Sequence, residues 1–156
     1  RGNVDTRINK LKNGQYDAIV LSSAGINSLN LNSEITQIFS TTEMIPSAGQ
    51  GIVALQCREE DKEIIDLLKN VNHMPTYYCA VAEREVLKNL EGDCETSVGI
   101  FAEIKGQNIE LDVELYSIDG SKRFNEKKSK PIKLAKDLGK EVGISLKKIS
   151  KGSYKR

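Results

Sequence analysis

The spacing of apolar residues changes abruptly at Ser97, and this change constrains the fold more than any other feature of the chain. Beyond Ser97, aliphatic residues occupy every second position along Val98–Ile104 and again along Ile109–Leu115. A period of two is typical of a strand with one buried face, and the intervening Gly106-Gln107-Asn108 is typical of a tight turn. The pattern therefore predicts two antiparallel strands.

The flanking segments predict helices on both sides of these strands. Pro75–Leu90 has apolar residues at helical spacing, with proline in the first turn and Gly92 just past the end. After the turn signal Asp119-Gly120, Arg123–Lys128 predicts a polar third strand, and Pro131–Ser150 predicts a last helix. The final part of the chain should be a small α+β domain.

The N-terminal part has a different pattern, in which short apolar runs alternate with helical segments. This order is typical of an α/β arrangement with buried parallel strands. Helices are predicted within Arg1–Asn13 and Glu59–Val71, and strands within Asp17–Leu21, Ile35–Ser40 and Gly51–Gln56. The loop before the last of these strands holds Pro46, Gly49 and Gly51, which indicates a change of direction.

Composition excludes several classes of function. The 156 residues carry a formal net charge of +1, and no apolar run is long enough to cross a bilayer, so neither a nucleic-acid partner nor a membrane is expected. The three cysteines are odd in number and form no Cys-x-x-Cys pair, which argues against a disulfide framework and a zinc site. A single histidine cannot build a metal cluster. No metal site is predicted, and the expected location is the reducing cytoplasm.

Three features favour the binding of carboxylates. Arg1 and Arg7 carry guanidinium groups, which bind carboxylates through two parallel hydrogen bonds, although two solvated arginines are the alternative interpretation. The turn Ser22–Gly25 follows a predicted strand and begins a helix, so its backbone N–H groups favour an anion.

Cys94 differs from the other two cysteines because it lies in a glycine-flanked loop after a helix. Cys57 and Cys79 are expected to be packed and inert. The neighbours Asp93 and Glu95 should raise the pKa of the Cys94 thiol, so local sequence leaves both a functional and a plain loop thiol open.

Three polar segments predict ordinary structural roles. His73 precedes a proline-initiated helix, which favours capping or hydrogen bonding over catalysis. Glu83-Arg84-Glu85 is predicted to be an exposed helix face, and the basic Lys151–Arg156 a solvated tail.

Ordered motifs across nearly the whole chain, fading after about Gly120, resemble those of the porphobilinogen deaminases, also called hydroxymethylbilane synthases. The similarity is strongest in three stretches, with Tyr16–Leu21 and Ala24-Gly25 matching between them in order and spacing. The three stretches are Arg1-Gly2-Asn3-Val4-Asp5-Thr6-Arg7, Pro46–Gly51 with Gln56-Cys57-Arg58, and Ala82-Glu83-Arg84 through Leu90-Glu91-Gly92-Asp93-Cys94.

The resemblance implies a transferase of porphyrin and heme biosynthesis that joins four porphobilinogen molecules head to tail and releases ammonia each time. It implies a dipyrromethane cofactor held by a thioether to Cys94. Arg1 and Arg7 would hold the carboxylates of cofactor and substrate. The positions that would line the same cleft are Asn3, Ser22, Gly25 and Gln50.

The resemblance also implies an architecture: a two-domain α/β unit like that of periplasmic binding proteins, followed by a small C-terminal domain, usually in a monomer. Residues 1–45 would be the second half of domain two, 46–72 a return to domain one, and 73–156 the cofactor-attachment domain. A simple ligand-binding module of the periplasmic type would give no reason for the Cys94 loop.

Two departures from the family pattern and one expected absence leave two hypotheses. Ser28 stands where an arginine is usual, and the Cys94 loop lacks the second glycine before the cysteine and the proline near Ser97 that are commoner in the family. The family acid/base aspartate is expected upstream of Arg1. The chain is therefore either the C-terminal portion of a working enzyme, with the missing N-terminal half as partner, or a non-catalytic remnant that keeps the fold.

Overall fold

A computed structural model describes residues 2–93 and 95–155, and the chain divides into two compact units, Arg1–Ser40 and Thr41–Arg156. The first unit contains helices α1 (Val4–Lys12) and α2 (Ser23–Ser28) and a 3-10 turn (Asn32–Glu34). The elements of the second unit are α3 (Lys62–Lys69), α4 (Met74–Leu90), β1 (Val98–Lys105), β2 (Asn108–Tyr116), β3 (Arg123–Pro131), a 3-10 turn (Ile132–Leu134) and α5 (Ala135–Ser150). None of the described helices is long and apolar enough to span a bilayer.

The C-terminal part of the second unit, from α4 onward, has the predicted α+β arrangement, with a three-stranded antiparallel sheet in the order β1-β2-β3. Ile100 pairs with Val113 and Ala102 with Leu111, so their side chains lie on one face. Helix α4 packs against β1 and α5 against β3, and the apolar face is buried beneath them. Alternation of the sequence thus places every second residue in a common core.

Helices α4 and α5 approach closely because α5 has glycines where it crosses α4. A Cβ atom at Gly139 would lie 2.2 Å from the carbonyl oxygen of Ala82, and one at Gly143 would lie 2.9 Å from that of Val86. Any side chain at these positions would force the two backbones apart. The spacing of four residues puts both glycines on the same face of α5.

Replacing Gly139 with valine should therefore destabilise the second unit by about 1–3 kcal/mol, the usual cost of overpacking a core. Lys140→Val, at an exposed position of the same helix, is the matched control for the β-branched side chain. Urea unfolding followed by circular dichroism measures both. Equal losses in the two variants would contradict the close helix crossing.

The three predicted strands of the N-terminal part are absent, so this part of the secondary-structure prediction is wrong. Residues 17–21, 35–40 and 51–56 are all described and form no strand. Their apolar side chains are largely exposed, with Ile38 at 72% and Val53 at 88%. A parallel strand needs neighbours on its edges to satisfy its backbone, and the described residues provide no such neighbours here.

The C-terminal segment also differs from the prediction of a solvated tail. Tyr154 is 3% exposed and joins the core of the second unit. Lys151 and Gly152 both have positive φ angles, of 50° and 76°, which turn the chain back after α5. Burial of the aromatic ring favours packing of this segment against the core, although the neighbouring residues are basic.

Candidate functional site

A cationic cleft of about 660 Å³ lies in the first unit. Arg7 and Lys10 line it from successive turns of α1, together with Tyr16 and the segment Ala18–Val20. Arg7 is a predicted site residue, whereas Lys10 was missed. The spacing of three residues, which puts both cations on one side of a helix, could have identified Lys10.

The other predicted residues of this unit lie at the ends of its two longer helices. Asn3 and Ser22 occupy the N-cap positions of α1 and α2, and neither side chain caps its helix. The Asn3 carbonyl accepts a hydrogen bond from the Arg7 amide at 3.0 Å. Gly25 lets α2 approach α1, because a Cβ atom there would lie 3.2 Å from a methyl carbon of Val4. Arg1 lies outside the described residues.

The carboxyl group of Glu83 is buried in the second unit, which contradicts the prediction of an exposed helix face. It is 5% exposed, and its carboxylate accepts hydrogen bonds from the amides of Gly49 at 2.7 Å and Ala102 at 2.9 Å. Burial raises the pKa of Glu83, and the two amide donors partly offset this effect. The loop of Pro46–Gly51 is thus fastened to α4 and β1.

Gln50, another predicted site residue, belongs to this fastened loop. It lines a pocket of about 280 Å³ with Ser47, Cys79 and Glu83. Burial, followed by the charges of Glu83 and Glu103, raises the pKa of the Cys79 thiol. A protonated thiol is a poor nucleophile, so the prediction that Cys79 is an inert packing residue agrees with its surroundings.

Cys94 lies outside the described residues, but hydrogen bonds join its neighbours on either side in sequence. The Asp93 carboxylate accepts hydrogen bonds from the amides of Glu95 at 2.9 Å and Thr96 at 3.1 Å. These bonds, led by that from Glu95, lower the pKa of Asp93. The Asp93 carboxylate is therefore held in its ionised form by two backbone amides.

Two sequence models of one family match the chain in order. The model described as porphobilinogen deaminase, dipyromethane cofactor binding domain, matches residues 1–66, which include the cationic cleft. The model described as porphobilinogen deaminase, C-terminal domain, matches residues 77–148. The chain belongs to the porphobilinogen deaminase family.

Curated relatives agree with this assignment. The chain is 36% identical over 146 residues to a porphobilinogen deaminase of Desulforamulus reducens, covering 94% of this chain and 47% of the relative. It is 37% identical over 152 residues to a porphobilinogen deaminase of Rickettsia bellii, covering 96% of this chain and 49% of the relative. The chain thus spans about half the length of these porphobilinogen deaminases.

The buried Glu83 generates a first prediction for this member of the porphobilinogen deaminase family. Glu83→Gln keeps one acceptor oxygen but turns an amide NH₂ toward a backbone N–H, so the free energy of unfolding should fall by about 1–3 kcal/mol. Glu63→Gln, the same change at an exposed position of α3, should have little effect. Similar unfolding midpoints for the two variants would count against the buried clamp.

The raised pKa of Glu83 gives a second, pH-dependent prediction. The folded state holds this proton up to a higher pH than the unfolded state, whose pKa is near the ordinary value of 4.5. The stability contribution of Glu83 is therefore complete below that value and decreases as the pH rises through the folded pKa. The difference in unfolding free energy between wild type and Glu83→Gln should shrink between acidic and neutral pH. A difference that grows with pH would mean that the amide bonds outweigh burial.

Proposed function

We propose that this chain is the C-terminal portion of a hydroxymethylbilane synthase. The whole enzyme would condense four porphobilinogen molecules head to tail, with loss of ammonia at each addition, on a covalently bound dipyrromethane. The observation that carries this proposal is the cationic cleft of Arg7 and Lys10, within the residues that match the cofactor-binding model of the family.

The chemistry of the cleft fits the cofactor. Each pyrrole ring carries an acetate and a propionate, so a dipyrromethane presents four carboxylates. The guanidinium of Arg7 can take a carboxylate by two hydrogen bonds, and Lys10 offers a second cation. A volume of about 660 Å³ lies in the range of pockets that hold small organic ligands.

The proposal assigns a role to each predicted residue. Cys94 is the thioether anchor, and the bound dipyrromethane supplies an electron-rich pyrrole carbon for chain growth. Arg1 and Arg7 hold carboxylates of cofactor and substrate. Asn3, Ser22 and Gly25 of the first unit and Gln50 of the second unit are proposed as further cofactor-binding residues of the complete enzyme. Because the thiol is alkylated once and then serves as an anchor, it needs no lowered pKa.

The proposal includes a partner, the N-terminal half of the family architecture, which would bring the acid/base aspartate. The exposed apolar side chains of Val20, Ile38 and Val53 support this proposal. One lies in each of the three segments whose sequence pattern predicts a strand and which form none here. Added neighbours would complete a periplasmic-binding-protein-like unit with divisions at 1–45, 46–72 and 73–156. The complete protein would be a cytoplasmic monomer.

A second candidate is a non-catalytic remnant, favoured by Ser28. Its hydroxyl donates a hydrogen bond back to the carbonyl of Ala24 at 2.7 Å within α2. A short side chain engaged in this way cannot replace the long guanidinium expected at this position. The remnant would keep the fold and bind pyrrole carboxylates without turnover.

Ammonia release from porphobilinogen separates the two candidates. The chain alone should release none, whereas mixing it with the N-terminal half of the Rickettsia bellii relative, or fusing the two, should produce steady release and hydroxymethylbilane. The isolated N-terminal half is the control. Absence of turnover in both the mixed and the fused protein would favour the remnant.

The carboxylate role of Arg7 is tested in the same complemented protein. Arg7→Ala removes a charge-assisted pair of hydrogen bonds, so kcat/KM should fall by about 10- to 100-fold. Arg7→Lys should recover part of this loss, since a point charge remains without the planar fork. Arg84→Ala, an equal loss of charge at an exposed position of α4, should leave kcat/KM unchanged. A similar decrease in both alanine variants would refute the specific role.

A further inference from the structure

The end of helix α4 is held by a side chain from the far end of the sequence. The hydroxyl of Tyr154 donates a hydrogen bond to the carbonyl of Leu90 at 2.7 Å, and both groups are buried. Leu90 is the last residue of α4, and the carbonyls of the last turn receive no hydrogen bond from an amide of the same helix. Tyr154 thus satisfies a backbone group four residues before Cys94.

The next residue, Glu91, ends the helix in a strained conformation. Its φ angle is 53°, in the left-handed region that favours glycine. Its carboxylate forms ion pairs with Lys147 at 2.6 Å and Lys155 at 2.8 Å. These lysines, Lys147 first, lower the pKa of Glu91 to about 2. One contact comes from α5 and the other from the C-terminal segment.

The C-terminal segment is itself anchored, so it can act as a support. The carbonyl of Ser153 accepts a hydrogen bond from the amide of Ile118, in the connection between β2 and β3, at 2.9 Å. The amide of Ser153 donates to Ser150 at the end of α5 at 3.0 Å. The segment therefore bridges the sheet connection, α5 and the end of α4.

We propose that Lys151–Lys155 is a positioning element that fixes the direction in which the loop of Gly92–Ser97 leaves α4. Tyr154 is the central positioning residue. This inference rests on the proposed function, because its consequence is the presentation of Cys94 for thioether formation. In that step a bond forms between Sγ and the aminomethyl carbon of porphobilinogen. The C–N bond breaks, and the nitrogen leaves as ammonia with the thiol proton.

Tyr154→Phe tests the proposal, since it removes the hydroxyl and keeps the ring in the core. Tyr116→Phe is the matched control, because that hydroxyl donates to Glu114 on the sheet instead. The apo form of each variant is alkylated with iodoacetamide, and peptide mass spectrometry gives separate rates for the three cysteines. Each apo form, with the N-terminal half supplied, is also incubated with porphobilinogen, and the rate of adduct formation is measured.

Tyr154→Phe should raise the alkylation rate of Cys94 by about fivefold, the change in population that the loss of one such hydrogen bond produces. It should slow adduct formation by a similar factor and leave Cys57 and Cys79 at wild-type rates. Wild-type rates at Cys94 together with a lower melting temperature would reduce Tyr154 to a stabilising residue and overturn the proposal. Equal acceleration at all three cysteines would overturn it as well.

The alkylation and adduct-formation experiments also separate the positioning role of Tyr154 from the proposed function on which it rests. If the wild-type protein forms no adduct, the proposed function fails, while the alkylation rates still decide whether Tyr154 restrains the loop. If the wild-type adduct forms and Tyr154→Phe matches it in both rates, only the positioning role fails.

Discussion

One buried carboxyl group joins a loop, a helix and a strand of the second unit. The side chain of Glu83 accepts hydrogen bonds from the backbone amides of Gly49 and Ala102, which lie 34 and 19 residues away in sequence. A buried charge without such donors would be strongly unfavourable, so the loop and the strand are held wherever α4 places this side chain. The same helix ends at the loop that contains Cys94. Helix α4 is thus the common support of the proposed lining residue Gln50 and the proposed anchor.

The sequence predicts a strand reliably where the chain also provides its partners. The alternation along β1 and β2 corresponds to a real sheet because the two strands pair with each other and two helices cover their apolar face. The apolar runs at 17–21, 35–40 and 51–56 carry an equally good pattern but form no strand. The described residues place no neighbouring strand beside them, and a local pattern contains no information about such neighbours.

In the candidate site, too, features set by local sequence could be predicted, whereas those set by contacts distant in sequence could not. Arg7 was predicted because a guanidinium in an ordered motif suits carboxylates, and Lys10 follows from helical spacing once α1 is known. Glu83 was misjudged because a run of charged residues usually marks a solvated face, and its two amide donors are distant in sequence. The burial of Tyr154 in a basic tail could not be predicted from local sequence either, because its partner, the carbonyl of Leu90, is 64 residues away.

Peptide mapping will decide whether Cys94 holds a dipyrromethane, as we propose. The chain is produced together with the N-terminal half in cells that make porphobilinogen, then digested and analysed by tandem mass spectrometry. We expect the Cys94 peptide to gain the mass of two porphobilinogen molecules less two molecules of ammonia. An unmodified Cys94 peptide, or the same mass gain on Cys57 or Cys79, would contradict it.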